Sequence, residues 1–177
     1  MTKFILYACP SGTLAKQISA YFEQAAATIG PNPAQDYMPH ISLTGFFVDD
    51  ATAATTYVSV LETLLIEFEP TKPESVLNIS NLRLDERFHG LELDAPWLGS
   101  LTAAFAERAE SPTRTESIRC KEWLHLSFAY QFLPEQHEPL VALARELIDV
   151  QSPVEWMLRL YQRHEEQIWT CHREWGL

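Results

Sequence analysis

One short pattern occurs twice, and it limits what this chain can fold into. Residues 39–44 read Pro39-His40-Ile41-Ser42-Leu43-Thr44, and residues 124–129 read Leu124-His125-Leu126-Ser127-Phe128-Ala129. Each copy is His, apolar, Ser, apolar, at the head of an apolar run with the character of a strand. Side chains alternate faces along a strand, so His40 shares a face with Ser42, and His125 with Ser127. Ile41, Leu43, Leu126 and Phe128 then face the other way, into a core. A scaffold that satisfies both copies at once presents two imidazoles and two hydroxyls across one cleft.

The rest of the chain reads as that scaffold. Lys3 to Cys9 is apolar on nearly every residue, which predicts a strand covered on both faces. Pro10-Ser11-Gly12-Thr13 is a turn. A helix follows with Leu14, Ile18, Tyr21, Phe22, Ala25, Ala26 and Ile29 on one stripe, stopped by Gly30-Pro31. The run His40 to Val48 is predicted as the strand of the first motif. Asp49-Asp50 caps a helix with the stripe Tyr57, Val60, Leu61, Leu64, Leu65 and Phe68, ended by Pro70 and Pro73. Val76 to Leu84 and Phe88 to Asp94 read as two strands joined by a tight turn, with a bulge where the apolar parity shifts after Ile79. Pro96 fits the first turn of a helix burying Trp97, Leu101, Ala104 and Phe105. Residues 110–120 are polar and predict a mobile loop beside the cleft. Leu124 to Phe132 is the strand of the second motif. A helix over Glu135 to Asp149 turns Leu140, Val141, Ala144, Leu147 and Ile148 inward. Two strands, Val154 to Tyr161 and Ile168 to Trp175, close the chain.

This order holds two similar units, each with a strand, a helix and a His-bearing strand. It predicts an α+β architecture of one domain over 1–177, pseudo-duplicated and bilobal, each lobe a sheet backed by helices. The length of 177 residues suits one substantial domain.

Two imidazoles on opposite sides of one atom suit concerted acid–base chemistry: one takes a proton from the attacking oxygen, the other gives one to the departing oxygen. Histidine serves both roles because its ordinary pKa lies near neutrality. The two hydroxyls can donate to non-bridging phosphoryl oxygens, where charge has to be held. That chemistry calls for no metal and no other cofactor.

The net charge of −11 opposes a dedicated binder of long duplex nucleic acid, which needs a basic footprint. It leaves room for a small nucleotide or a terminal phosphate. Cys9, Cys120 and Cys171 are widely spaced, with neither a disulfide framework nor zinc-type CxxC spacing. The N-terminal run Met1 to Tyr7 is too short for a signal peptide, and no apolar run is long enough to cross a bilayer. A cytoplasmic monomer with no membrane partner is the expectation.

The two motifs, spaced from 40 to 125, resemble those of the 2H phosphoesterases, among them the RNA 2′,5′-ligase-like proteins and the plant and fungal cyclic phosphodiesterases. Of these, the closer resemblance is to the 2H phosphoesterase domain of the TULA/Sts (ubiquitin-associated and SH3 domain-containing) proteins. The stretches that carry the likeness are Phe4-Ile5-Leu6-Tyr7 with Pro10 to Ala15, Met38 to Leu43 ending in Gly45-Phe46-Phe47, Leu124 to Tyr130, and Ile148 to Trp156. The resemblance implies a bilobal fold with both motifs on central strands. It also implies metal-independent cleavage of cyclic phosphodiesters, 2′,3′-cyclic nucleotides or RNA ends. His40 and His125 inherit the acid–base roles, and Ser42 and Ser127 the phosphate contacts. A Tyr three residues after the second motif Ser reaches the phosphate in the plant enzymes, and Tyr130 has that spacing. Simple alternation points Tyr130 to the wrong face, so it contributes only if the strand twists or bulges.

Both hydroxyls are Ser here, where Thr is frequent in that family. The ubiquitin-binding, SH3 and histidine-phosphatase modules that flank the domain in TULA/Sts proteins are not found in these residues, and signalling roles that depend on them are not carried over. Arg119 and Lys121 precede the second motif and would put positive charge at the cleft mouth. Tyr7, Phe46 and Tyr161 are candidates for stacking on a base, with core packing as their other use. His89 reads as a core or sheet-edge residue, His137 as solvated, and His164 and His172 as flanking the final turn without metal-ligand spacing. The leading expectation is a phosphodiesterase acting on 2′,3′-cyclic nucleotides or cyclic-phosphate RNA ends. The alternatives are a 2′,5′-phosphodiesterase or RNA 3′-end processing enzyme, and a nucleotide-binding module without turnover.

Overall fold

The computed structural model describes residues 1–164 and 168–177. Eight strands and four α-helices follow in order: β1 (Thr2–Ser11), α1 (Gly12–Thr28), β2 (Ile41–Ser42), β3 (Phe47–Asp49), α2 (Ala54–Phe68), β4 (Asn78–Leu84), β5 (Phe88–Asp94), α3 (Pro96–Arg108), β6 (Leu124–Tyr130), α4 (Pro134–Leu147), β7 (Val154–Arg163) and β8 (Trp169–Gly176). The strands form one open sheet in the order β4-β5-β6-β2-β1-β7-β8, with β3 beside the start of β1. Every pairing is antiparallel.

The class is α+β, as the sequence predicts, but the two expected sheets are one. Short β2 bonds β1 on one side and β6 on the other, so the half carrying the first motif and the half carrying the second meet at the motifs themselves.

All four helices contribute to a single core on one face of this sheet. Phe4, Leu6 and Ala8 of β1, Ile41, Leu126 and Phe128, and Leu158 and Leu160 of β7 meet Leu14, Ile18 and Tyr21, Tyr57 and Leu61, Leu101 and Phe105, and Leu140 and Ala144. The helical spacing of those residues is what turns each stripe onto the sheet. The odd residues of β1 face the other way. Ile5, Tyr7 and Cys9 are buried there with Tyr161, under Met38, Phe46 and Trp169. That second covering explains why β1 is apolar throughout.

Four expectations are revised. The strand predicted from His40 to Val48 breaks into β2 and β3, because the register against β1 slips by two residues between Tyr7↔Ser42 and Phe4↔Phe47. In the break, buried Thr44 accepts the Leu6 N–H on its hydroxyl at 3.0 Å, and Gly45 donates to the Arg119 carbonyl at 2.8 Å. The 110–120 segment, expected to be a mobile loop beside the cleft, is instead anchored at several points. Thr113 Oγ1 donates to Asp49 Oδ1 at 2.5 Å, Ile118 is buried, and Lys121 N donates to Leu43 O at 2.9 Å. His137, read as solvated, is half-buried and bonds His89 at 3.1 Å, since the first turn of α4 packs over β5. Ala26, assigned to the inward stripe of α1, is exposed. The bulge expected after Ile79 is present, and His89 is fully buried, as a core residue.

Candidate active site

The junction of β2 and β6 sets the geometry. Ile41 pairs with Leu126, and both are buried on the helix side. Continuing that antiparallel register by one residue each way places His40 opposite Ser127, and Ser42 opposite His125. The two histidines lie on the diagonal of this quartet, a separation of about 7–8 Å between strand positions. All four side chains line one cleft of about 400 Å³, together with Ile5, Tyr7, Tyr37, Phe46, Phe88, Lys121 and Tyr130.

Each imidazole is held in the same way. The Nδ1–H of His40 donates to the carbonyl of Met38 at 2.7 Å, and the Nδ1–H of His125 to the carbonyl of Trp123 at 3.3 Å. Both acceptors sit two residues upstream, so the clamp is built into the chain entering each strand. With Nδ1 committed to a carbonyl, Nε2 is the nitrogen left for chemistry. An aromatic ring backs each one. Tyr7 lies 4.1 Å from His40, and Trp123 stacks on His125 at 3.9 Å and 27°.

Burial pushes both histidines below the ordinary value, and the carbonyl bonds pull each part of the way back. His125 adds to the lowering at His40. At His125 the Lys121 ammonium lowers and the Glu92 carboxylate raises. The resting site at neutral pH therefore offers two neutral imidazoles, each with a basic Nε2. Neither serine hydroxyl has a hydrogen-bond partner among the described residues, and both open onto the cleft.

Tyr130 reaches the cleft through a bulge. His89 pairs with Ala129 but Gly90 pairs with Ser127, so β6 carries one extra residue there. Phe128 and Ala129 are both buried, and the parity flips. Tyr130 thus joins His125 and Ser127 on the cleft side instead of following simple alternation. Asn32 fixes it in place: its Nδ2 donates to Tyr130 O at 2.7 Å and its Oδ1 accepts from Tyr130 N at 3.2 Å. The same oxygen accepts from Ala34 N at 3.0 Å, capping the turn Pro33–Asp36 that delivers Tyr37 and Met38 to the cleft.

Of the two cations read at the mouth, Lys121 lines the cleft, while the Arg119 guanidinium lies against Gly45. Of the three aromatics, Tyr7 and Phe46 line it, and Tyr161 packs behind Tyr7 at 5.8 Å. Sequence reasoning did not single out Asn32, Tyr37, Phe88, Trp123 or Trp169. Asn32-Pro33 was legible as a capped turn; the others are ordinary aromatics until the strand order brings them together. His164 Nε2 and Thr170 Oγ1 lie 2.9 Å apart, and His172 Nε2 lies 2.7 Å from Gln162 Oε1. No group of three or more His, Cys, Asp or Glu among the described residues has the arrangement to hold a metal ion.

No family model matches the chain. Curated relatives do. It is 29% identical over 168 residues to an ecdysteroid-phosphate phosphatase of Bombyx mori, covering 91% of this chain and 24% of that protein. It is equally 29% identical over 168 residues to ubiquitin-associated and SH3 domain-containing protein B of Mus musculus, covering 91% of this chain and 25% of that protein. An ecdysteroid-phosphate phosphatase of Drosophila melanogaster matches at 27% over 200 residues. The chain spans about a quarter of the length of these relatives. No helix among the described residues is long and apolar enough to cross a membrane.

Proposed function

We propose that this chain is a phosphodiesterase of the 2H type, with two pseudo-symmetric halves and one cleft. It hydrolyses 2′,3′-cyclic nucleotides or RNA ends that carry a cyclic phosphate. The observation that carries this reading is the crossed quartet, in which each histidine stands opposite the serine of the other motif. A phosphoryl group seated over the two strands, in the cleft, meets a hydroxyl and an Nε2 from each. Ser42 and Ser127 donate to its non-bridging oxygens, with Tyr130 as a further donor at the bulge. One imidazole takes the proton of water as its oxygen bonds phosphorus. The other, protonated, gives its proton to the ribose oxygen as that P–O bond breaks. The anionic substrate itself favours the one protonated imidazole this needs, offsetting the burial that lowers both.

The names of the relatives are those of proteins acting on phosphate esters or carrying other modules, and they support phosphoester hydrolysis in general. The small volume of the cleft and the net charge of −11 favour a small nucleotide or an RNA terminus over a duplex. We place the protein in the cytoplasm, in keeping with its three unpaired cysteines.

The test is hydrolysis of a 2′,3′-cyclic nucleotide in the presence of EDTA by the wild type, His40→Ala and His125→Ala. The expected result is full activity with EDTA and a loss of about 10²–10⁴-fold in each variant. Activity that survives either substitution, or that EDTA abolishes, overturns the mechanism. Rings on both sides of the quartet, Tyr37 and Phe46 on one and Phe88 on the other, favour a second reading: a linear 2′,5′-diester with a base on each side. Comparing cyclic and linear substrates in one assay separates the two.

A further inference from the structure

The two half-sites are clamped alike but backed differently, and the difference breaks their symmetry. His40 rests on Tyr7, a residue of the neighbouring strand that is buried to 1% exposure. His125 rests on Trp123, only two residues before it, which is 47% exposed. So large an apolar side chain left half in water adds little to the core. Its contacts gather around His125, behind the cleft wall: the indole stacks on the imidazole, its carbonyl receives the Nδ1–H, and Phe88, Arg83 and Glu92 flank it.

The surroundings are also built. Phe88 meets His125 edge-on at 5.4 Å and Trp123 at 5.3 Å. Glu92 pairs directly with His125 across β5 and β6. Arg83 lies over the rings of both Trp123 and Phe88, held by Asp85 at 2.5 Å and Glu92 at 3.1 Å. The charged and titratable groups about His125 are thus Glu92 from β5, Lys121 ahead of β6 and His40 across the cleft, with Arg83 and Asp85 one ring further out, beyond Trp123 and Phe88. The Trp123 indole lies against the imidazole plane to plane. A π face attracts a cation and does little for a neutral imidazole.

We infer that Trp123 is the positioning residue of His125: its indole holds the ring and favours the imidazolium, so that His125 donates to the leaving oxygen while His40 accepts from water. This rests on the proposed hydrolysis. The step balances within the site. A lone pair of water forms the new O–P bond as His40 Nε2 takes the water proton. The P–O bond to the ribose oxygen breaks, its electron pair stays on that oxygen, and the oxygen receives the Nε2 proton of His125. Proton exchange with solvent resets the pair.

The experiment has two arms. The first titrates the histidine ring signals by NMR in the wild type, Trp123→Leu and Trp123→Phe, without substrate. Loss of the indole lowers the His125 midpoint by about half a pH unit, Phe restores most of it, and His40 stays in place. An unchanged or raised midpoint in Trp123→Leu overturns the inference. The second compares kcat/KM on a 2′,3′-cyclic nucleotide with that on a diester whose leaving group is p-nitrophenolate, which needs no proton. Trp123→Leu is expected to lose several-fold more on the nucleotide than on the aryl ester, with the loss growing as pH rises. Equal losses on both overturn the assignment of His125 as the acid. If the wild type cleaves neither ester, the proposed reaction fails, and the titration still decides whether Trp123 governs His125.

Discussion

Gly90→Ala should damage both stability and activity, for one geometric reason. Gly90 lies on β5 opposite Ser127, where β6 bulges. A Cβ there would sit 2.3 Å from the Leu126 carbonyl oxygen and 2.6 Å from Phe88 Cζ. The Phe88 ring can swing away, but Leu126 O is backbone in the strand that carries the second motif. It must retreat from 2.3 Å to beyond 3.0 Å, and β6 goes with it. Overpacking of that kind costs about 2–3 kcal/mol. Restricting the unfolded chain returns about 0.5–1 kcal/mol. The net loss, about 1–2.5 kcal/mol, corresponds to a melting temperature lower by about 2–10 °C in a chain of this size. In the proposed reaction, moving Ser127 and Tyr130 away from the substrate phosphoryl group costs further activity, of order 10–100-fold in kcat/KM. Urea unfolding with an unchanged m-value reads the first effect, and initial rates read the second. Gly99→Ala is the control: nothing lies within 4 Å of its Cβ position and it sits inside α3, so it should stabilise by about 0.5–1 kcal/mol. The reasoning is refuted if Gly90→Ala is as stable as the wild type and turns over substrate normally.

Asn32→Ala removes both bonds to the Tyr130 backbone and the cap of the 33–36 turn, and should cost about 2–3 kcal/mol in urea melts with a lower kcat/KM, since Tyr37 and Tyr130 both lose their anchor. Asp49 is fully buried; burial opposes its ionisation, but bonds from Thr113, Tyr57 and Asp50 N outweigh that and hold its carboxyl below the ordinary range. Its stabilising contribution is present above the ordinary carboxylate pKa and is lost as pH falls through the lowered value. Asp49→Asn should therefore cost about 1–3 kcal/mol at neutral pH and much less in acid, read by urea melts across pH. Burial, with His137 alongside, pushes His89 from 6.5 down to about 4. The unfolded chain then binds a proton that the folded one refuses, so stability falls as pH drops from 6.5 toward 4. His89→Asn should flatten that fall, as thermal melts over this window would show.

Much of the scaffold was legible because it rests on local signals. Pro96 opens α3, and the stripes of α1 and α2 buried Leu14, Ile18 and Tyr21, and Tyr57, Leu61 and Leu64. What was not legible depends on partners distant in sequence. The apolar run of β1 announced a doubly covered strand but not what covers it, because Phe46 and Trp169 lie far from β1 and from each other in sequence. The break at Thr44-Gly45 is invisible locally, since a threonine hydroxyl standing in for a ladder bond depends on where Leu6 falls. The polar 110–120 segment read as free because its anchor, Asp49, looked like half of a helix cap. In the structure Asp50 makes the cap, accepting from Thr52 N at 2.9 Å, and Asp49 turns inward. The twin motif pointed to the histidines by itself, but the bulge that turns Tyr130 into the cleft was conditional until the β5 register was known.

The twin motif carries a constraint that only the strand direction reveals. Two strands that each read His-x-Ser can meet in two ways. Side by side and parallel, they would put histidine against histidine and serine against serine, with both acids and bases at one end of the phosphate. Antiparallel, as β2 and β6 are, the same reading order crosses, and each histidine faces a serine. Crossing suits the proposed in-line displacement, since there the entering and departing oxygens lie on opposite sides of phosphorus and each requires its own proton carrier. The register is held by burial: slipping β6 by one residue would turn Leu126 and Phe128 into the cleft and His125 and Ser127 into the core. Apolar residues between the polar ones therefore act as the alignment device of the site. It follows that Leu126→Ser should cost more activity than its cavity alone explains, because it weakens the preference for the face on which His125 now stands.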